Sequence, residues 1–323
     1  MPDYPGISRD AFRHPLDKQA EETLRSVPGF DIAARKFVEF IYERPQYVSL
    51  MGNTIHAGPQ QYATLYNMFR ECVQALDVHP EPSLFVAQNP LVNSYSLGEE
   101  HPCVVANTGL LDLLSDDQIR TVMAHELGHI KCGHTTLTQM AMWAMTTASM
   151  VGELTFGIGN IISSGLIYAF YEWRRMAELS CDRAALLATD DWRLVGQTMM
   201  QVAGGSNRFA HEVNFQAFEK QADDYQNLDE DGLSQVYKFL LYNGTGQGPM
   251  LSHPFPVDRL SYLKTWAQSD EYARIKRGDY LRSQTDGTVN VDATTPTGDV
   301  DRLRRELADL QNELDRLRRE SDG

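Results

Sequence analysis

Residues 121–134 read TVMAHELGHIKCGH, and the segment from His125 to His129 restricts the fold more than any other feature of this 323-residue chain. On an α-helix, histidines four apart lie one turn from each other on the same face. Both can then aim a ring nitrogen at one metal ion. Glu126 follows the first of them, where its carboxylate can hold a water molecule beside the metal. The chain must therefore build a helix here and bring another element to its metal-facing side.

The neighbouring residues supply that helix. Ser115-Asp-Asp-Gln118 has the form of a capping box, with Ser at the N-cap, two acids in the first turn and Gln at the third helical position. Ile119, Val122, Met123, Leu127 and Ile130 follow at helical spacing. H-E-x-x-H on such a helix is the zinc-peptidase pattern. Catalytic zinc takes three protein ligands and leaves one position to water, so a third ligand is needed. His134 lies five residues past His129, not the six of the metzincin pattern, and reads as a histidine beside Gly133 that meets the last helical carbonyls. Glu178 and Asp182, four apart in YEWRRMAELSCDRAALLA (171–188), fit better. Carboxylates on helices are usually solvated, but Ala177, Leu179 and Ala184–Ala188 predict a largely buried helix, where such a pair wants a cation. Glu178 is the expected third ligand. Asp182, one turn on, is expected to accept the second ring N–H of a ligating histidine.

These segments, in their order along the chain, resemble the zinc metalloproteases of the HtpX and CAAX prenyl protease type, within the gluzincin group. NSYSLG (93–98) and VVANTGLLDLL (104–114) resemble the family's edge strand and the start of its next helix. AHELGHIKCGH (124–134) resembles its zinc helix, and RMAELSCD (175–182) its R-x-x-E-x-x-A-D, with Cys181 in place of Ala. SHPFPVDRLSYL (252–263) resembles its late H-P-x-x-x-x-R block. The resemblance implies a mainly α fold with a small β-sheet (α+β), the zinc helices lying under a short sheet whose edge strand binds substrate. It implies one zinc ion per chain, His253 or Arg259 stabilising the carbonyl oxygen, and Asn93 bonding the substrate backbone. Structural readings stand beside these roles: a salt bridge from Arg259 to Asp258 or a helix end, a loop cap for His253, a turn for Asn93. Glu126 is the expected general base.

A net charge of −15 argues against nucleic acid, which needs clustered Lys and Arg, and against general attraction to anionic lipid. The first eighteen residues carry charges and prolines and do not read as a signal peptide. Cys72, Cys103, Cys132 and Cys181 lack paired spacing, which fits reduced thiols in the cytoplasm. Cys132 and Cys181 also invite the idea that oxidation regulates the zinc site, against the plainer expectation of core packing.

Residues 15–80 read as helices, 83–107 as short β-prone runs, and 109–277 as mainly helical. The expected organisation is an N-terminal helical region (1–80) packed on a protease domain (81–283), then a flexible linker (284–299) and a coiled-coil tail (300–323). In the tail, Val300, Leu303, Leu307, Leu310, Leu314 and Leu317 alternate at three and four, which fits homo-oligomerisation. Between residues 135 and 171 the only charged residue is Glu153. A hairpin packed dry in a soluble protein and one that touches a membrane peripherally both fit that stretch, and spanning fits less well. Residues 205–250 are a candidate lid. The expected function is cleavage of unfolded or damaged proteins. The alternative is a non-proteolytic holdase or scaffold built on the edge strand and the tail.

Overall fold

The computed structural model describes residues 2–26, 43–99, 101–139, 158–229, 241 and 253–283. Helix α1 (Pro15–Ser26) opens with proline at its first position, where a missing N–H costs nothing. Helix α2 (Glu43–Asn53) leads to the two-residue strand β1 (Ile55–His56). Helix α3 (Ala63–Ala75) buries Leu65, Met68, Phe69, Cys72 and Val73, the stripe of a one-sided helix. Strands β2 (Ser83–Ala87), β3 (Ser94–Leu97) and β4 (Cys103–Asn107) fall on the three β-prone runs. Then come α4 (Thr108–Leu113), α5 (Asp116–Cys132), α6 (Ile158–Thr189), α7 (Trp192–Gly204), α8 (Phe215–Asp229), α9 (Pro256–Ala267) and α10 (Asp270–Lys276).

The sheet runs β1-β2-β4-β3. β2 and β4 are parallel, with Ser83 opposite Cys103 and Ala87 opposite Asn107. β3 pairs antiparallel with β4, Ser94 opposite Ala106 and Leu97 opposite Cys103. Every residue of β4 is buried, as a central strand requires, while β3 stands at the edge. A mainly helical fold with one small sheet is thus what the chain adopts. β1 departs from the all-helical reading of 15–80: two exposed residues carry no periodicity, and only backbone pairing with β2 makes them a strand.

One apolar cluster runs from Tyr4, Ile7 and Phe12 through Leu84, Val104 and Leu127 to Leu260, Trp266 and Ile275. Residues on both sides of position 80 therefore share a core. A second cluster joins Ala20 and Leu24 of α1 to Leu137 and to Phe170, Trp173 and Ala177 of α6. Burying side chains of that size stabilises the α1–α6 contact by about 1.5–3 kcal/mol each.

α6 spans 32 residues, so the second half of the apolar stretch and the carboxylate segment form one helix. Residues 140–157, the rest of that stretch, lie outside the described residues, as do the linker and coiled-coil expectations at 284–323. Among the described residues, no helix is long and apolar enough to cross a membrane.

Candidate active site

The capping box starts α5 as expected: Ser115 donates its backbone N–H to Gln118 Oε1 at 3.1 Å. Gly133, in the left-handed region at φ 75°, ends it. Between these points Gly128 sets how close α5 lies to α6. A Cβ there would stand 2.8 Å from Ala184 Cβ and 3.0 Å from Cys181 Cα. No larger residue fits this crossing. It brings the His125 and His129 rings over Glu178.

Three side chains converge. His125 Nε2 lies 3.2 Å from Glu178 Oε2, and His129 Nε2 lies 3.5 Å from Glu178 Oε1. Two ligands of one tetrahedral zinc stand roughly 3.4 Å apart, given bonds near 2.0–2.1 Å. Glu178 Oε2 is buried and has no N–H or O–H aligned on it as a hydrogen bond, although Arg259 Nη1 approaches to 3.3 Å. Burial alone would lift Glu178, but the His253 and Arg259 charges outweigh it and hold its carboxyl well below the usual range. A buried, ionised carboxylate with an orphaned oxygen between two imidazoles is a donor set that fits a divalent metal.

His125, His129 and Cys181 also bring one ligand atom each within 4.8 Å of one another. Glu178 is the better third ligand. It lies within 3.5 Å of both imidazoles and its carboxyl is held well below the usual range, whereas burial pushes the Cys181 thiol well up. Cys181 Sγ instead faces His134 Nδ1 at 3.6 Å. Cys132 is equally buried, and its thiol too is pushed up by burial.

Asp182 lies where a partner for the first histidine is needed, its Oδ1 3.1 Å from His125 Nδ1. Arg259 grips the same carboxylate in a fork, Nε to Oδ2 at 2.9 Å and Nη2 to Oδ1 at 2.6 Å. Its salt-bridge partner is Asp182 rather than Asp258, which instead accepts from Gln226. His253, half-exposed at the mouth, puts Nε2 3.3 Å from Glu178 Oε1. Glu126 is buried, and that burial, opposed by His129 and His125, raises its proton affinity, as suits a general base.

His134 departs from its expected place. It does not meet the last carbonyls of α5; Gly133 turns the chain so that His134 begins a new helical segment, 134–139, and points inward, 2% exposed. Its Nδ1 lies 3.2 Å from His129 Nδ1 and its Nε2 3.0 Å from Asp17 Oδ2. Asp17 played no part in the sequence reading. The one available signal was a carboxylate on the apolar face of α1, among Ala20 and Leu24.

β3 passes beside this cluster. Ser94, Tyr95 and Ser96 line a small cleft with Glu126, His129 and His253. Sharing His125, Glu126, Glu178 and His253 with that cleft is a cavity of about 460 Å³, walled by Val92, Leu110, Val122, Val195, Met199 and Val202, with exposed Asn93 at its rim. None of residues 205–229 lines either space, but α8 packs Tyr225 on Phe255, the residue before α9, which is itself a wall of the cavity.

The sequence profile described as peptidase family M48 matches residues 59–267. The chain is 32% identical over 277 residues to the plastoglobule-localized metallopeptidase 48 of Arabidopsis thaliana chloroplasts, covering 84% of this chain and 76% of that one. It is 26% identical over 137 residues to a protease HtpX homolog of Thermoanaerobacter pseudethanolicus, covering 42% and 43%. No solved structure matches.

Proposed function

The chain belongs to peptidase family M48 and is a metalloprotease; from that premise we propose a zinc-dependent endopeptidase that cleaves unfolded or damaged protein chains. The observation that carries this reading is that an apolar cavity and an edge strand, its outer side unpaired among the described residues, both adjoin Glu126. A segment added to β3 pairs through its main chain, which makes sequence matter little. The cavity takes one large apolar side chain. Folded proteins hide both extended backbone and such side chains, whereas unfolded chains offer both.

In this reading His125, His129 and Glu178 hold one zinc ion per chain, which supplies Lewis-acid activation of water and of the peptide carbonyl. Glu126 takes the proton of the attacking water and delivers it to the leaving amine as the C–N bond breaks. His253 donates a hydrogen bond to the carbonyl oxygen as it gains charge. Arg259 acts a step further back, holding Asp182 and Glu178 in place. Asn93 bonds the substrate backbone at the rim. None of the four cysteines forms a disulfide, which fits a cytoplasmic enzyme, with any membrane contact peripheral and through 135–171.

Zinc content and casein cleavage of the native chain and Glu126→Gln test the reading. Cleavage should fall by roughly 10²–10⁴-fold, the usual worth of a general base, at unchanged zinc content. Full cleavage by the variant would remove Glu126 as the base. Binding of unfolded casein without cleavage by the native, zinc-loaded chain would favour a holdase instead.

A further inference from the structure

His129 is held from behind by residues the catalytic reading does not use. Its Nδ1 meets His134 Nδ1 at 3.2 Å, and His134 Nε2 meets Asp17 Oδ2 at 3.0 Å. Asp17 is fully buried on α1. It also accepts two bonds from Arg13, at 2.8 and 2.9 Å, and one from the Ser180 hydroxyl at 2.6 Å. Proton positions follow from valence. A metal on His129 Nε2 uses that lone pair, so the ring's proton sits on Nδ1. That N–H has an acceptor only if His134 Nδ1 is bare, which places the His134 proton on Nε2, facing the Asp17 carboxylate. With both rings neutral, this arrangement satisfies the His129–His134 and His134–Asp17 contacts, and His134 Nδ1 also accepts, more weakly, from the Cys181 thiol at 3.6 Å.

We propose that Asp17 and His134 are positioning residues of the metal site: a bracket from the N-terminal helix that fixes the tautomer and ring plane of His129. The proposal rests on His129 being a ligand. It extends the active site to a residue outside the segment 59–267 that the family profile matches. Leu24, Phe170 and Trp173 already join α1 to α6 through apolar contact. A buried carboxylate added to that contact has a reason if it serves the site one bond further on.

The test is zinc affinity of the full chain by competition with a chromophoric chelator, with the visible spectrum of the cobalt(II)-loaded protein as a second readout. His134→Phe keeps the ring's bulk but removes the acceptor. It should bind zinc about 10- to 100-fold more weakly, the usual cost of losing such an outer partner, and shift the cobalt bands. His134→Asn, whose amide oxygen can accept from His129, should recover most of the affinity. Asp17→Asn, nearly the same shape, should fall between them, and it decides the matter if His134→Phe does not fold. Native-like zinc affinity and cobalt spectrum in Asp17→Asn and His134→Phe, even with lowered melting temperatures, would reduce the bracket to a staple and overturn the proposal. Failure of the native chain to bind zinc would instead bring down the reading of His129 itself, and the bracket with it.

Discussion

The two histidines proposed to hold the metal, His125 and His129, sit one turn apart on one helix, yet what stands behind them differs. Behind His125 is Asp182, one turn from Glu178 on the same helix and gripped by Arg259. Behind His129 is a second histidine, then a carboxylate from the far end of the chain. The first arrangement is compact: one helix supplies both the facing carboxylate and the backing one. The second spans three elements and ties the N-terminal helix to the site. The proposed role, holding a ring in place, would thus be met once by local spacing and once by tertiary assembly.

Removing the compact backing should have the larger effect. Asp182→Asn removes the charge that the part-buried Arg259 grips in a fork and leaves it only the 3.3 Å approach to Glu178, and losing one side of such a pair costs up to about 3 kcal/mol. Chemical denaturation of the metal-free protein would show it, and zinc affinity should also fall, by about 10- to 100-fold. Unchanged stability would mean that Arg259 does not depend on Asp182 and that the two backings are more alike than their geometry suggests.

Gly128→Ala acts on both histidines at once. Its methyl would press on Ala184 and Cys181, and overpacking of this kind costs about 1–3 kcal/mol. Cleavage should drop with stability, since α5 would move off Glu178. A variant with native activity would show that the close crossing is not what sets the histidines' reach.

The smallest effect separates the backings by pH. Burial would raise the Asp17 carboxyl, but His134 and then Arg13 outweigh it and hold it far below its ordinary range. A folded-state value below the unfolded one, near 3.9, contributes stability that is complete above pH ~4 and is lost as pH falls further. Melting temperatures of the metal-free protein between pH 6 and 3 should therefore fall more steeply for the native chain than for Asp17→Asn. Parallel curves would mean that Asp17 contributes nothing through its charge.

Legibility in the sequence followed distance along the chain. The capping box, the H-E-x-x-H face and the Glu178–Asp182 pair each lie within a few turns of one helix, where fixed spacing fixes direction. β2, β3 and β4 showed in β-prone runs, and the mainly helical character of the rest in its periodicity. β1 did not show, because two residues hold no period. His134 was placed at the helix end on local grounds, but the left-handed turn at Gly133 carried it inside. The cavity walls, Val195, Met199 and Val202, read as ordinary apolar positions of a helix, because nothing in a sequence marks which apolar side chains face a void.

By itself, then, the sequence determined a helix that offers two imidazoles and a carboxylate base on one side, and a second helix with two carboxylates in step. Periodicity dictates such faces without reference to the rest of the chain. Only the tertiary structure decided that these faces meet, at a crossing that Gly128 alone permits. It also decided that β3 stands at the edge of the sheet among the described residues, beside them, and that Asp17 reaches His129 through His134. Those contacts depend on packing between elements distant in sequence, where no spacing rule reaches.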